Sequence, residues 1–321
     1  MADITGTPTN RAVADTAGST VDTIFADAVL ASMPTLVVEE KGLLMMQEVP
    51  AQHDSVTFPV LANFDLTWTS LSGTGSDLGS EVSVTSGPAT TFRKFTPECM
   101  SAGIFIHDMI DLTVNKHSFD TYSNLAAVNV SKKIDQDGIN YGIMSVVSTV
   151  GSRAVRVGGG YATGSITSGS TLGPDDLSDA KTTMSTGSDI YVPDTALMHP
   201  NQYNQLIQST ALQNQLYRVS DKATFRDGEM VAYDGMEIVV SELVNSGAWF
   251  DATEAGFYPT AGHPVAVFKR AVAGAMARKT AGFKVSTVDD RIKHGQFKIF
   301  DIMFKAAVLV PEAISILRAS D

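Results

Sequence analysis

The stretch SVTFPVLANFDLTWTS, residues 55–70, constrains the fold more than any other part of this 321-residue chain. Val56, Phe58, Val60, Ala62, Phe64, Leu66 and Trp68 all fall on even positions. Side chains of a strand alternate between its faces, so this spacing predicts a long strand with one continuously apolar face. The odd positions carry Thr57, Asn63, Asp65 and Thr67, but also Leu61 and Pro59. A proline inside a strand gives up a ladder donor and belongs at an edge or a bulge. The Gly- and Ser-rich LSGTGSDLGS follows, then a second alternating run from Glu81 to Phe95. Residues 50–97 therefore read as an extended β-hairpin with a flexible tip. A two-stranded ribbon is marginal by itself, so it must lie on something.

Two other segments shape the expectation. From Ser118, a plausible N-cap, to Val150 there is no proline, and Phe119, Tyr122, Ala126, Val130 and Ile134 are spaced by three or four; Ile139, Ile143, Val146, Val147 and Val150 continue the series. An unbroken helix of that length would span roughly 50 Å at about 1.5 Å per residue. Gly138 and Gly142 are the places where it could bend, and Lys132, Lys133, Asp135 and Asp137 read as a solvated face. Near the C-terminus, FKIFDIMFKAAVLVPEAISIL sets Phe300, Ile302, Phe304, Ala306, Val308 and Val310 on one face, with Asp301 and Lys305 on the other. That is the pattern of a long half-buried strand in a sheet crossing the whole subunit.

Between them lies a compact α+β module over about 172–250. GPDDLSDAKTTM starts a helix with Pro174 at the first position, Asp175 and Asp176 in the first turn, and Leu177, Ala180 and Met184 facing inward. DIYVPDTALMHP gives a strand, PNQYNQLIQ a helix and DGMEIVVSELV another strand. The Gly158–Gly160 triplet and YATGSITSGSTLG mark a loop and a boundary. At the other end, residues 1–20 are too polar to order alone, and the series from Val21 through Ile24, Phe25, Ala28 and Val29 to Pro34 suggests one short amphipathic helix.

Composition narrows the function. With 44% hydrophobic residues the chain can fill a core. Thirty-five acidic against 23 basic residues give a formal charge of −12, which repels phosphate backbones and anionic membranes. One cysteine, Cys99, excludes an internal disulfide and a Cys-rich zinc site, suits a reducing cytosol, and has a buried inert thiol as its default. No stretch approaches the roughly 20 apolar residues of a membrane span, and no secretory signal is expected.

No motif carries chemistry strongly. VGGGYATGS has glycines without the lysine of a phosphate loop. His107 and Asp111 have the spacing of one helical turn but no third ligand in view. No cofactor and no metal is expected. His199, beside Pro200, is the strongest single candidate: in an enzyme it would work with Asp194. Around it, however, Asn201, Gln202, Asn204, Gln205 and Gln208 are amides with no proton to give or take at neutral pH, while Tyr203, Leu206 and Ile207 read as the helix's buried face. The proline pushes His199 out of helical angles, so its expected role is that of an N-cap.

The order of these elements (polar arm, short helix, long hairpin, very long helix, Gly-rich loop, α+β module, β-rich return) resembles that of the major capsid proteins of tailed bacteriophages, with the Hong Kong 97-type capsid fold. The phrases GPDDLSDAKTTM, TALMHPNQYNQLI and GEMVAYDGMEIVVSELV are similar to that family's axial-domain elements, and FKIFDIMFKAAVLVPEAISILR to its closing strand. The resemblance implies an α+β subunit with an N-arm at 1–49, an E-loop at 50–97, a peripheral domain from 98–158 and 262–300 with a spine helix at 118–150, and an axial domain from 159–261 and 301–321. It implies hexamers and pentamers of an icosahedral shell around double-stranded DNA, bound without sequence preference and without a membrane. Partners would be the chain itself, a separate scaffolding protein, a portal and a decoration or cement protein. The place would be the virion capsid, after synthesis in the host cytoplasm. Intersubunit contacts are expected at Phe58, Phe64, Leu66 and Trp68 of the hairpin and at Phe25 and Val29 of the arm. Residues 42–93 contain no lysine, so no lysine–asparagine crosslink is expected from the E-loop. Three other readings remain: an encapsulin-like shell holding an enzyme, a His199 enzyme, and a β-rich tail or adhesin protein.

Overall fold

A computed structural model describes residues 37–61, 90–107, 117–145, 155–157, 171–186, 191–209, 212, 223–226, 229–245, 262–279, 283–290 and 294–319. The described residues build two large sheets that share a core, and a two-stranded ribbon. After the one-turn helix α1 (Val37–Glu40) come β1 (Met45–Glu48), the ribbon strands β2 (Val56–Leu61) and β3 (Thr90–Phe95), β4 (Glu98–His107) and the long helix α2 (His117–Ile139). Then follow β5 (Val155–Val157), α3 (Pro174–Ser185), β6 (Thr195–Met198), α4 (Pro200–Gln208), β7 (Ala223–Arg226), β8 (Glu229–Tyr233) and β9 (Met236–Val240). The return is all strand: β10 (Val265–Phe268), β11 (Gly274–Arg278), β12 (Lys284–Asp290), β13 (Gly295–Val308) and β14 (Ile314–Arg318).

The first sheet is organised around β13, whose 14 residues span about 45 Å. On one side it pairs antiparallel with β4 from Gly295 to Phe304. On the other it pairs with β12 from Gly295 to Asp301 and with β11 from Phe304 to Val308. β1 then joins β11 in parallel. The alternation read in the sequence holds here: Phe300, Ile302 and Phe304 are buried, while Asp301 accepts a hydrogen bond from Ser101 Oγ and Lys305 donates one to Glu98.

The second sheet has the order β5-β14-β10-β6-β9-β8-β7, with α3 packed against β14 and β10. α3 begins as its sequence predicts: Pro174 opens it, Asp176 accepts a bond from Gly173 N at 2.8 Å, and Leu177, Ala180 and Met184 are buried. Between β8 and β9, Asp234 and Gly235 both have positive φ, 51° and 77°. That is the two-residue turn that an Asp-Gly pair favours, and it makes two strands where the sequence reading had one.

Three departures from the sequence reading have physical causes. The expected domain change between residues 300 and 301 falls inside β13, whose ladder continues to Val308. The chain changes sheets instead at 309–313, where Pro311 cannot extend the ladder. β5 and β10 are strands of the seven-stranded sheet. The long helix begins at His117, one residue ahead of the expected cap, and after Ile139 widens into a π-turn over Asn140–Met144; the expected continuation through 146–150 lies outside the described residues. Finally, Asp135 and Asp137 are not solvated. They are 5% and 3% exposed, and only Lys132 and Lys133 of that group face water. Asp135 accepts from the amides of Val37 and Val38 at 3.0 and 3.1 Å, capping α1. Burial pushes its carboxyl above the usual range against the pull of those two amides, and Glu39 adds to the rise.

Candidate functional site

The ribbon is the feature that the sequence marks for assembly, and its root is well placed. β2 and β3 pair antiparallel from Val56↔Phe95 to Leu61↔Thr90. Phe58 and Phe95 meet edge to face, with centroids 4.9 Å apart, and both are buried in the core of their own subunit. Val56 and Val60 pack against the same core. Phe58, expected at an intersubunit contact, has its ring buried within this subunit. Two further bonds fix the root, from Arg93 Nη1 to Val308 O at 3.0 Å and from Lys279 Nζ to His53 O at 3.1 Å. On the opposite face, Phe92 stands across from Pro59 and is 67% exposed. The sequence reading missed Phe92 by following only the face that carries Val56, Phe58 and Val60. Phe64, Leu66, Trp68, Phe25 and Val29 lie outside the described residues.

The second place is the turn at His199. Its backbone is extended (φ −76°, ψ 153°), and Nδ1 accepts a bond from Asn201 N at 3.2 Å, so it caps α4 as expected. Its ring stacks on His263, with centroids 3.7 Å apart. Of the helix's inward face, Leu206 is fully buried and so is the amide Gln202; Tyr203 is half-buried and its hydroxyl oxygen accepts a bond from Met230 N. Asp194 stands at the opposite end of β6, five residues away or about 16 Å along an extended chain. The two do not form a dyad.

Asp194 belongs instead to a cluster of charges. Arg270 donates from its backbone N to Asp194 Oδ1 at 3.0 Å, from Nε to Thr195 Oγ1, from Nη2 to Glu237 and from Nη1 to Lys41 O at 3.4 Å. Lys269 pairs with Asp194 at 2.9 Å and Lys41 with Glu237 at 3.3 Å. Partial burial would raise Asp194, but the bonds from Arg270 N and Lys269 outweigh it and hold the carboxyl below its usual range. Glu237 is held low in the same way, burial being outweighed by Arg270 and then Lys41.

An apolar groove of 430 Å³ runs between α2 and the sheet, lined by Met100–Ile104, Ala126, Asn129, Val130, Lys133, Phe300 and Ile302. Cys99 is exposed on β4, contrary to the buried thiol expected. His107 ends β4, and its expected partner Asp111 lies outside the described residues, among which no cluster of three metal-binding side chains occurs. Among the described residues no helix is long and apolar enough to cross a membrane.

No family model matches the chain, and no curated protein sequence matches it. Solved structures do. The chain is similar to the capsid protein of cyanophage P-SCSP1u (16% identity, 90% of this chain and 89% of that one, TM-score 0.60) and to that of Ralstonia phage GP4 (11%, 89% and 90%, 0.59). It is also similar to the SrpI encapsulin of Synechococcus elongatus PCC 7942 (12%, 90% and 91%, 0.54). The likeness runs over nine-tenths of each chain at identities that speak for the fold alone.

Proposed function

We propose, from the premise that this chain has the Hong Kong 97-type α+β fold of phage capsids and encapsulins, that it is the major capsid protein of a tailed phage. In this reading the chain assembles with itself into hexamers and pentamers of an icosahedral shell around double-stranded DNA. The observation that carries it is the combination of whole-chain likeness to phage capsid subunits with a ribbon rooted in its own core and carrying an exposed aromatic, Phe92, on its outer face. Beyond residue 61 the sequence alternation continues through Phe64, Leu66 and Trp68, which in a strand would form an apolar stripe suited to burial on a neighbouring subunit. The −12 charge suits a wall that encloses a polyanion without gripping it. Scaffolding, portal and cement proteins would be separate partners, the virion capsid the final location, and the host cytoplasm the place of synthesis. No part of this reading needs catalysis by His199, which caps a helix and has no Asp194 beside it.

The test is electron microscopy of the purified protein and of its source lysate. Uniform icosahedral particles are expected, and a chain that stays monomeric at high concentration overturns the reading. The likeness to an encapsulin supports one alternative, a bacterial shell holding an enzyme. Particles filled with protein and free of DNA would select it.

A further inference from the structure

Helix α2 is covered unevenly along one side. Asp135 is 5% exposed because α1 lies over it: its carboxylate accepts from Val37 N at 3.0 Å and from Val38 N at 3.1 Å, and Val38 packs close to Gly138. Val128 stands seven residues before Asp135, about two turns of an α-helix, and so lies on the same side. Yet Val128 is 51% exposed, Leu125 one turn further on is 53% exposed, and Lys132 between Val128 and Asp135 faces water. The side that α1 protects thus continues toward the start of α2 as an exposed apolar pair. The apolar groove lies on the other flank: Ala126 in its lining is nine residues from Asp135, about two and a half turns, and so points the opposite way.

What can cover the pair is set by where the chain comes from. Val37 is pinned to Asp135, so everything ahead of it enters at this point of α2. Residues 33–36 are MPTL, a connector that reaches roughly 14 Å at most. Along the helix axis, Val128 lies about 10 Å and Leu125 about 15 Å from Asp135, toward the start of α2. Ahead of the connector, VDTIFADAVLAS at 21–32 carries Ile24, Phe25, Ala28 and Val29 at helical spacing, and Pro34 bars a helix there from running on into α1. A helix over 21–32 measures about 18 Å, enough to run beside both exposed side chains. Lys132 then stands near its carbonyl end, where a cation is favoured.

We propose that residues 21–32 dock as a helix on the exposed side of α2 in their own subunit, seating Phe25 and Ala28 on Leu125 and Val128. The sequence reading offers Phe25 and Val29 to a neighbouring subunit; the short connector to Val37 ties them to their own. The docking is a property of the single subunit and does not depend on shell assembly.

Hydrogen exchange on the full chain at low concentration tests it. Peptides covering 21–32 are expected to exchange at least roughly tenfold more slowly than an unstructured chain, and to lose that protection in the double variant Leu125→Ser with Val128→Ser, while β11 and β13 keep theirs. Both replaced side chains are exposed, so the fold of the subunit tolerates the change. In a second experiment Ala28→Cys and Val128→Cys are combined with Cys99→Ser, which removes the one native cysteine, and the protein is oxidised. The expected product is a disulfide closed within one chain, at a yield independent of protein concentration. Unprotected 21–32 in the wild type, protection indifferent to the double substitution, or no disulfide at all overturns the proposal. So does a disulfide between chains whose yield grows with concentration, which would seat the same segment of a second copy there.

Discussion

At the scale of single residues, three glycines set how closely the long helix lies on its sheet. A Cβ on Gly274 would come within 2.0 Å of Gly142 O, a backbone atom with nowhere to go. A Cβ on Gly142 would meet Leu44 Cδ1 at 2.8 Å and one on Gly138 would meet Met276 Cε at 2.6 Å, both ends of flexible side chains. Gly274→Ala should therefore destabilise the subunit by about 3 kcal/mol, read as a shifted denaturant midpoint, and Gly138→Ala by less. Equal midpoints for the two variants would show that the helix backs away freely. The sequence marked Gly138 and Gly142 as places for a bend, and the helix does widen at Asn140–Met144, but the reason for small residues there is contact with β11, which no local pattern carries. His199 was legible because Pro200 dictates the geometry of the residue before it. Asp135 was not: its partners are amides 97 and 98 positions away, and a carboxylate just after a pair of lysines reads as surface until that distant helix start is brought to it.

At the scale of elements, alternation and start signals carried most of what could be read. β13, α3 and α4 follow from periodicity, proline and first-turn acids alone, because those signals act within a few residues. Which sheet a strand joins is decided by pairing across long sequence distances, which no local pattern carries. The same long-range pairing brings Asp194, Glu237 and Arg270 together, and it has a consequence for acid stability. Both carboxyls are held below their ordinary values of 3.8 and 4.5 in the folded chain. On acidification the unfolded chain takes up these protons first, so the stability they contribute is intact above the ordinary values and is lost as pH falls through them toward the lower folded ones. Asp135 runs the other way: its raised folded value means that acid relieves a cost of burial. Glu237→Gln should accordingly be less stable than wild type at neutral pH and show a shallower loss between about pH 5 and 3, followed by thermal unfolding across that range. Parallel curves for the two proteins would remove Glu237 from the acid response.

At the scale of the whole molecule, the ribbon decides between a subunit that stands alone and one that needs neighbours. Its root is an intramolecular structure: Phe58 and Phe95 are core residues, and Arg93 and Lys279 tie the adjoining backbone to the body. Among the described residues, the β2–β3 ladder, the ring pair and both ties are made by residues 53–61, 90–95, 279 and 308. If residues 70–80 are the tip that the sequence LSGTGSDLGS predicts, removing them should leave subunit folding nearly unchanged, with a midpoint within about 0.5 kcal/mol of wild type, because shortening a loop changes closure entropy only slightly. If the apolar stripe beyond residue 61 is buried on a neighbour, the same deletion should sharply reduce particle yield at equal protein concentration. The sign of the comparison carries the weight: loss of assembly with retained folding places the ribbon between subunits. Equal damage to both would place the tip in the subunit's own fold, and an undiminished yield would leave Phe92 and the ribbon root, not the tip, as the surface to test next.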